Sequence, residues 1–295
     1  MEQKRKMKLK IFKKGFNYSQ DGTGNRLVYH LQGCNMNCPW CSNPEGISVT
    51  GSLIVNPDFL IDASCPYGAI IDKKIDRKMC YGCKTLDCIN IYPNKGIKRS
   101  YEEYEIDDIV EEVLDSSLLF YDGGGVTLTG GEPTVQFEAV KELLGKLKRE
   151  SIHTAIETNG THPRLEELFE YIDMLIMDFK HPDAVIHAQV TGMSNETIKA
   201  NIKKALQAHK NVLIRIPLIK GFNASEDTLE QFLKFFAGLD TKNASFEFLP
   251  YHEYGASKWR QIGLEYKMKN VFVDADTVKL FTKAFTDNGL RVIRT

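Results

Sequence analysis

Cys34, Cys38 and Cys41 stand in the run Gly33-Cys34-Asn35-Met36-Asn37-Cys38-Pro39-Trp40-Cys41, a C-x3-C-x2-C cluster on one short stretch. Three thiolates so placed can hold three irons of a 4Fe–4S cube and leave the fourth iron without a protein ligand. An open metal position separates a reactive site from a sealed structural one. A zinc knuckle and three unrelated buried thiols are the other readings, but structural zinc takes four ligands, commonly at C-x2-4-C spacing.

A second group comprises Cys65, Cys80, Cys83 and Cys88. Two similar phrases flank it, Cys65-Pro66-Tyr-Gly-Ala-Ile70 and Tyr92-Pro93-Asn-Lys-Gly-Ile97. Bacterial ferredoxins repeat C-x2-C-x2-C-x3-C-P twice, and the fourth cysteine of each repeat serves the other cluster. In this chain the first repeat keeps only Cys65-Pro66, while the second keeps Cys80, Cys83 and Cys88 and has Tyr92 in place of its last cysteine. The survivors make one complete ligand set, which predicts one auxiliary 4Fe–4S cluster. The Cys83–Cys88 spacing is longer than in ferredoxins, and a structural zinc on the same four thiols is the alternative.

Short apolar strands alternate with helical patterns through the rest, which predicts an α/β fold. Strands are expected near 26–32, 125–129, 153–158, 173–178, 212–218 and 245–249. Apolar spacing of three and four marks helices at Ile106–Leu114, at Val140–Leu147 and after Ser225, a good N-cap. The unusual polar phrases fall at the carboxyl ends of the strands: Gly130-Gly131-Glu132-Pro133, Glu157-Thr158-Asn159-Gly160, Asp178-Phe179-Lys180 and Pro250-Tyr251-His252-Glu253. Parallel βα barrels place their sites at that face. Six units without a seventh or eighth predict an open, partial barrel, whose missing side admits a macromolecular substrate.

The bulk numbers exclude little. The 295 residues are 42% apolar and 26% charged with a formal charge of -1, ordinary for a soluble globular protein. No long apolar run or signal peptide is apparent, and nothing predicts nucleic acid or membrane as a partner. The seven cysteines, clustered and outside a secretory context, fit a reducing cytoplasm. Lys4, Arg5, Lys6, Lys8, Lys10, Lys13 and Lys14 form a basic amino-terminal arm, expected to be a solvated edge.

With its C-x3-C-x2-C spacing and Trp40, the chain resembles the radical S-adenosylmethionine (SAM) enzymes, in particular the glycyl radical enzyme activating enzymes of the pyruvate formate-lyase activating type with a ferredoxin-like insertion. The resemblance implies a partial (β/α)6 TIM-type barrel, with residues 1–49 and 100–295 as core and 50–99 as the inserted iron–sulfur domain. It implies that Cys34, Cys38 and Cys41 hold the catalytic cube and that its open iron chelates SAM. Trp40, Ser42, Gly131, Asp178, Phe179, Lys180 and His252 are then SAM contacts. The Asp178-x-Lys180 and Leu249-Pro250-Tyr251-His252-x-x-Gly255 phrases carry this comparison. An isolated D-x-K is otherwise a surface ion pair. Glu157, Thr158, Met177 and Asp178 line up with a monovalent-cation site beside SAM.

Asp21-Gly22-Thr23-Gly24-Asn25-Arg26 resembles the D-G-P-G-x-R phrase of the activases, with Thr23 replacing proline. Asp21, and more weakly Arg215, are the implied contacts to a partner peptide. The implied reaction is reductive cleavage of SAM, followed by hydrogen abstraction from a specific glycine of a glycyl radical enzyme. The electron donor would be reduced flavodoxin or ferredoxin, and the setting anaerobic. A radical SAM enzyme acting on a small molecule, a two-cluster electron carrier and a zinc-stabilised binding module are the rival readings.

Overall fold

The computed structural model describes residues 6–18, 20–61, 65–80, 83, 85–90 and 96–294. Lys4 and Arg5 of the basic arm, and Tyr92 and Pro93 of the second ferredoxin phrase, lie outside the described residues.

The core is an eight-stranded sheet. Its parallel part comprises β2 (Arg26–Leu31), β8 (Gly125–Gly130), β9 (Thr154–Thr158), β10 (Met174–Asp178), β11 (Val212–Leu218) and β12 (Ala244–Pro250). No end of these strands departs from the sequence expectation by more than one residue. Helices α3 (Ile106–Asp115), α4 (Phe137–Arg149), α5 (Ala184–Thr191), α6 (Glu196–Ala208), α7 (Glu226–Phe236) and α9 (Ala275–Asp287) accompany the strands. Side chains of a strand alternate between faces, so Leu175 and Met177 of β10, and Phe179 just past its end, join the main apolar core, while Met174 and Ile176 face the inner side. Ser225 caps α7 as expected, its hydroxyl accepting from the Thr228 N–H.

The sheet does not close on itself. Beyond β2 it continues through β1 (Lys8–Asn17) and β7 (Glu102–Glu105), both joined in antiparallel fashion. From Lys8 onward the basic arm is a strand inside the sheet and not its edge, while Lys8, Lys13 and Lys14 stay exposed as a solvated charge run should. Leu9 and Ile11 are buried, and Lys8 and Lys10 pair across the ladder with Glu105 and Glu103. Opposite charges facing each other across strands favour this register. A bulge between Ile11 and Lys13 breaks the alternation that would have announced the strand.

The insertion after β2 forms two small antiparallel pairs, β3 (Leu53–Val55) with β6 (Ile97–Arg99) and β4 (Ile70–Ile71) with β5 (Lys74–Ile75). Short helices α1 (Arg77–Cys80) and α2 (Asp87–Asn90) complete it. Val55, Leu60, Ile70 and Ile97 give it a core of its own, with Cys65 and Cys88 packed against them. Gly68 and Gly96, one in each of the two similar phrases but a position apart within them, both have positive φ.

Candidate active site

The Cys34–Cys41 loop leaves β2 and lies over the carboxyl ends of the parallel strands. Its anchors are backbone hydrogen bonds from Gly33 to the Gly46 carbonyl and from Cys34 to the Ile47 carbonyl, at 2.8 and 2.9 Å. The N–H groups of Met36 and Asn43 point at the sulfurs of Cys34 and Cys41, both at 3.4 Å. Such N–H···S contacts stabilise charge on thiolate sulfur. In the thiol form, burial pushes all three cysteines up to about 12, so holding a cluster means releasing their protons.

Gly131 sits under this loop because only a glycine fits. A Cβ there would lie 2.2 Å from the Gly33 carbonyl oxygen and 2.8 Å from that of Gly46. Its neighbour Glu132 is fully buried and accepts four hydrogen bonds: from the Thr134 N–H and hydroxyl, the Thr158 hydroxyl and the Asn159 N–H. Burial raises its pKa and those bonds oppose the rise. Glu132 thus staples the end of β8 to the end of β9, holding Asn159 at the cavity wall.

A cavity of about 250 Å³ opens at this end of the sheet. Cys34, Cys38, Cys41, Trp40, Ser42, Gly131, Glu157, Thr158, Asp178, Lys180 and His252 all line it. Lys180 binds Asp178 at 2.5 Å and is buried. Burial works against its charge, but Asp178, Cys38 and Cys34 outweigh that and raise its pKa. Trp40 packs at 4.8 Å on Phe222, and His252 stacks on Tyr254 at 4.1 Å. Phe179 is placed elsewhere: its ring lies among Phe232, Phe235 and Phe236. Met177 likewise turns its side chain into the outer core.

Arg215 is buried and engaged within the barrel. It donates to Glu157 at 2.7 Å, to Glu247 at 2.8 Å and to the Gln20 carbonyl. Burial alone would raise Glu157, but Arg215 and the Thr129 hydroxyl hold it below the usual carboxylate range. Asp21 lies beside this group, its pKa raised by burial and by Glu157, and the Asn17 amide donates to it. Arg26, the last residue of the D-G-T-G-N-R phrase, is fully buried. It bonds Thr127 and the Val126 carbonyl at 2.7 and 2.6 Å, and so pins this loop to β8.

Sequence reasoning missed α8 (Ala256–Gln261), which directly follows the His252 loop. Trp259 donates its indole N–H to the Cys41 carbonyl at 2.9 Å, and Lys258 reaches Asn43 and Glu45. Gly255 permits this approach, since a Cβ would sit 2.4 Å from the Cys41 carbonyl. The glycine that ends the Pro250–Gly255 phrase was the available signal.

Cys65, Cys80, Cys83 and Cys88 all line a second cavity, of about 350 Å³, in the insertion. Among the described residues, no three His, Cys, Asp or Glu side chains are grouped to hold a single metal ion. A cube instead spreads its ligands over four irons. The donor set of the first cavity, three thiols with N–H groups aimed at two of them, fits a cluster with one open corner.

The sequence profile of the radical SAM superfamily matches residues 28–236. The 4-hydroxyphenylacetate decarboxylase activating enzyme of Clostridioides difficile is 32% identical over 290 residues, covering 92% of this chain and 90% of that protein. The isethionate sulfite-lyase activating enzyme of Desulfovibrio desulfuricans is 34% identical and covers 85% of each chain. The choline trimethylamine-lyase activating enzyme of Oleidesulfovibrio alaskensis is 33% identical, covering 87% of this chain and 88% of that one. A radical SAM methyltransferase from Sphaerobacter thermophilus shares the fold, with a TM-score of 0.56 at 12% identity over 94% of this chain and 67% of that one. This chain belongs to the radical SAM superfamily, in its branch of glycyl radical enzyme activating enzymes. A 4Fe–4S cluster and SAM are the cofactors that membership entails.

Proposed function

We propose that the cavity at Cys34, Cys38 and Cys41 is where this activase binds its cluster and SAM and serves a partner glycyl radical enzyme. The observation that supports it is the convergence of three thiols, Gly131, the Asp178–Lys180 pair and His252 on one cavity. When bound, the reduced cluster supplies one electron that breaks a carbon–sulfur bond of SAM, giving methionine and a 5′-deoxyadenosyl radical that takes the α-hydrogen of a glycine. The protein's share is positioning and exclusion of water. Asp178 and the charged Lys180 offer an acceptor and a donor to SAM, Gly131 exposes backbone beside it, and Trp40 on Phe222 makes a flat apolar wall. His252, stacked on Tyr254, lines the same cavity. In this reading Phe179 contributes backbone only.

The insertion is read as ferredoxin-like, with Cys65, Cys80, Cys83 and Cys88 holding an auxiliary 4Fe–4S cluster. The convergence of all four thiols on one cavity supports this, Cys88 included despite its spacing. Asp21 and its loop are read as the partner-peptide contact, with Arg215 holding the loop from behind. A monovalent cation at Glu157, Thr158, Met177 and Asp178 would share Glu157 with Arg215, whose charge already faces that carboxylate. Reduced flavodoxin or ferredoxin as donor, and an anaerobic cytoplasm as setting, complete the reading. Among the described residues no helix is long and apolar enough to cross a membrane.

Anaerobic protein reduced with dithionite should release methionine and 5′-deoxyadenosine from SAM, and should raise a glycyl radical signal in a partner enzyme. Absence of methionine from fully iron-loaded protein would refute the assignment.

A further inference from the structure

Helix α8 lies between the two cysteine-bearing segments and bonds residues next to each cavity. At its amino end Gly255 lies against Cys41, and Trp259 and Lys258 bond the Cys41 carbonyl and the Asn43 side chain. At its carboxyl end the Gln261 carbonyl accepts from Arg77 at 2.7 Å. Arg77 opens α1, the helix that ends in Cys80, and also donates to the Leu53 carbonyl of β3 at 3.0 Å. The turn after α8 is built around this arginine. Gly263 has a φ of +80, and a Cβ there would fall 1.9 Å from the Arg77 Nε. The chain Cys80–Arg77–Gln261–Trp259–Cys41 is thus continuous through two hydrogen bonds and two helical stretches, one in α1 and one in α8. Trp259 is buried, so α8 is seated firmly enough to transmit a shift.

We propose that Arg77 is a positioning residue that ties the insertion to the Cys34–Cys41 loop through α8, so that the state of the second cysteine cavity sets how well the first binds SAM. The inference rests on the functional reading above. Arg77 does not touch the first cavity; it fixes the helix whose indole N–H holds the Cys41 carbonyl and whose preceding loop presents His252. Two charge-assisted bonds to carbonyls are lost in Arg77→Ala, while Arg77→Lys keeps the charge and one bond.

The test is a double-mutant cycle on SAM affinity, using anaerobically prepared, iron-loaded full-length protein. Arg77→Ala and Trp259→Phe should each weaken SAM binding about tenfold, with both clusters' iron retained. The double variant should be little worse than either single one, because both break the same connection. The electron paramagnetic resonance signal of the reduced SAM-bound cluster should shift in the same way in both, and Arg77→Lys should restore much of the parental signal. Additive losses, or unchanged affinity and spectrum in Arg77→Ala, would overturn the coupling. If Arg77→Ala sheds iron, Trp259→Phe combined with Cys65→Ala provides the same cycle; additivity there also overturns it. Parental protein that binds no SAM would overturn the functional reading itself, which separates the two failures.

Discussion

The Arg215 guanidinium spans the barrel interior to meet the Glu157 carboxylate at 2.7 Å, with Glu247 at its other edge at 2.8 Å. One buried cation thus answers two carboxylates contributed by strands on either side of β10 and β11. Removing it strips both buried acids of the cation they share, and breaking a buried ion pair typically costs about 3–5 kcal/mol. Arg215→Ala should therefore lose stability of that order in urea titration of the apoprotein. Arg215→Lys should lose less, since it keeps the charge without the planar fork. A loss under about 1 kcal/mol would contradict the network's structural role.

Gly131→Ala places a methyl group against the Gly33 and Gly46 carbonyls, so the cysteine loop must lift from β8. The fold should survive, because the strain is local to one loop. SAM affinity should fall by about tenfold or more, measured by equilibrium dialysis on iron-loaded protein. Affinity equal to the parent's would mean that the close approach is dispensable.

Acid sensitivity should arise well above the carboxylate range. His187 is fully buried, its Nδ1 facing the Met193 carbonyl at 2.6 Å and its Nε2 without a partner among the described residues. Burial pushes it down to about 4 from 6.5, and does the same to His30. Between those values the unfolded chain binds more protons than the folded one, so stability rises with pH across the window. It should be complete above about pH 6.5 and fall as the pH drops toward 4, by on the order of 3 kcal/mol for a fully buried histidine. His187→Gln should flatten the slope of denaturation midpoint between pH 7 and 5; parallel slopes would exclude this source.

Cys65→Ala should remove the insertion's iron, about half of the total if both sites hold a cube, while dithionite-dependent methionine formation persists. Iron and sulfide assays alongside product analysis report the two sites separately. Loss of both clusters would show that the insertion's metal is needed for the core to fold.

Much of this was legible in the chain. The six parallel strands announced themselves because buried parallel strands are short apolar runs bounded by turn residues. The cysteine loop and the glycine-rich turn after β8 were visible because their residue types tolerate few other uses. β1 was obscured because Lys8, Lys10, Lys13 and Lys14 mask two buried side chains and a bulge interrupts the period. The place of Phe179 follows from alternation: if Asp178 and Lys180 share the inner face, the residue between them must turn outward. Arg77 and Trp259 had no local signature at all, since their partners are backbone carbonyls 184 and 218 residues away.

The acidic strand β7 forms the outer rim of the sheet, only four residues long, with Glu102 and Glu103 exposed. A short rim of like charge repels its own kind, so two molecules meeting there gain no shared ladder. Crowded, metal-depleted preparations should consequently resist edge-to-edge fibrillation even while their cysteine pockets are empty, which is the condition every newly synthesised chain must pass through.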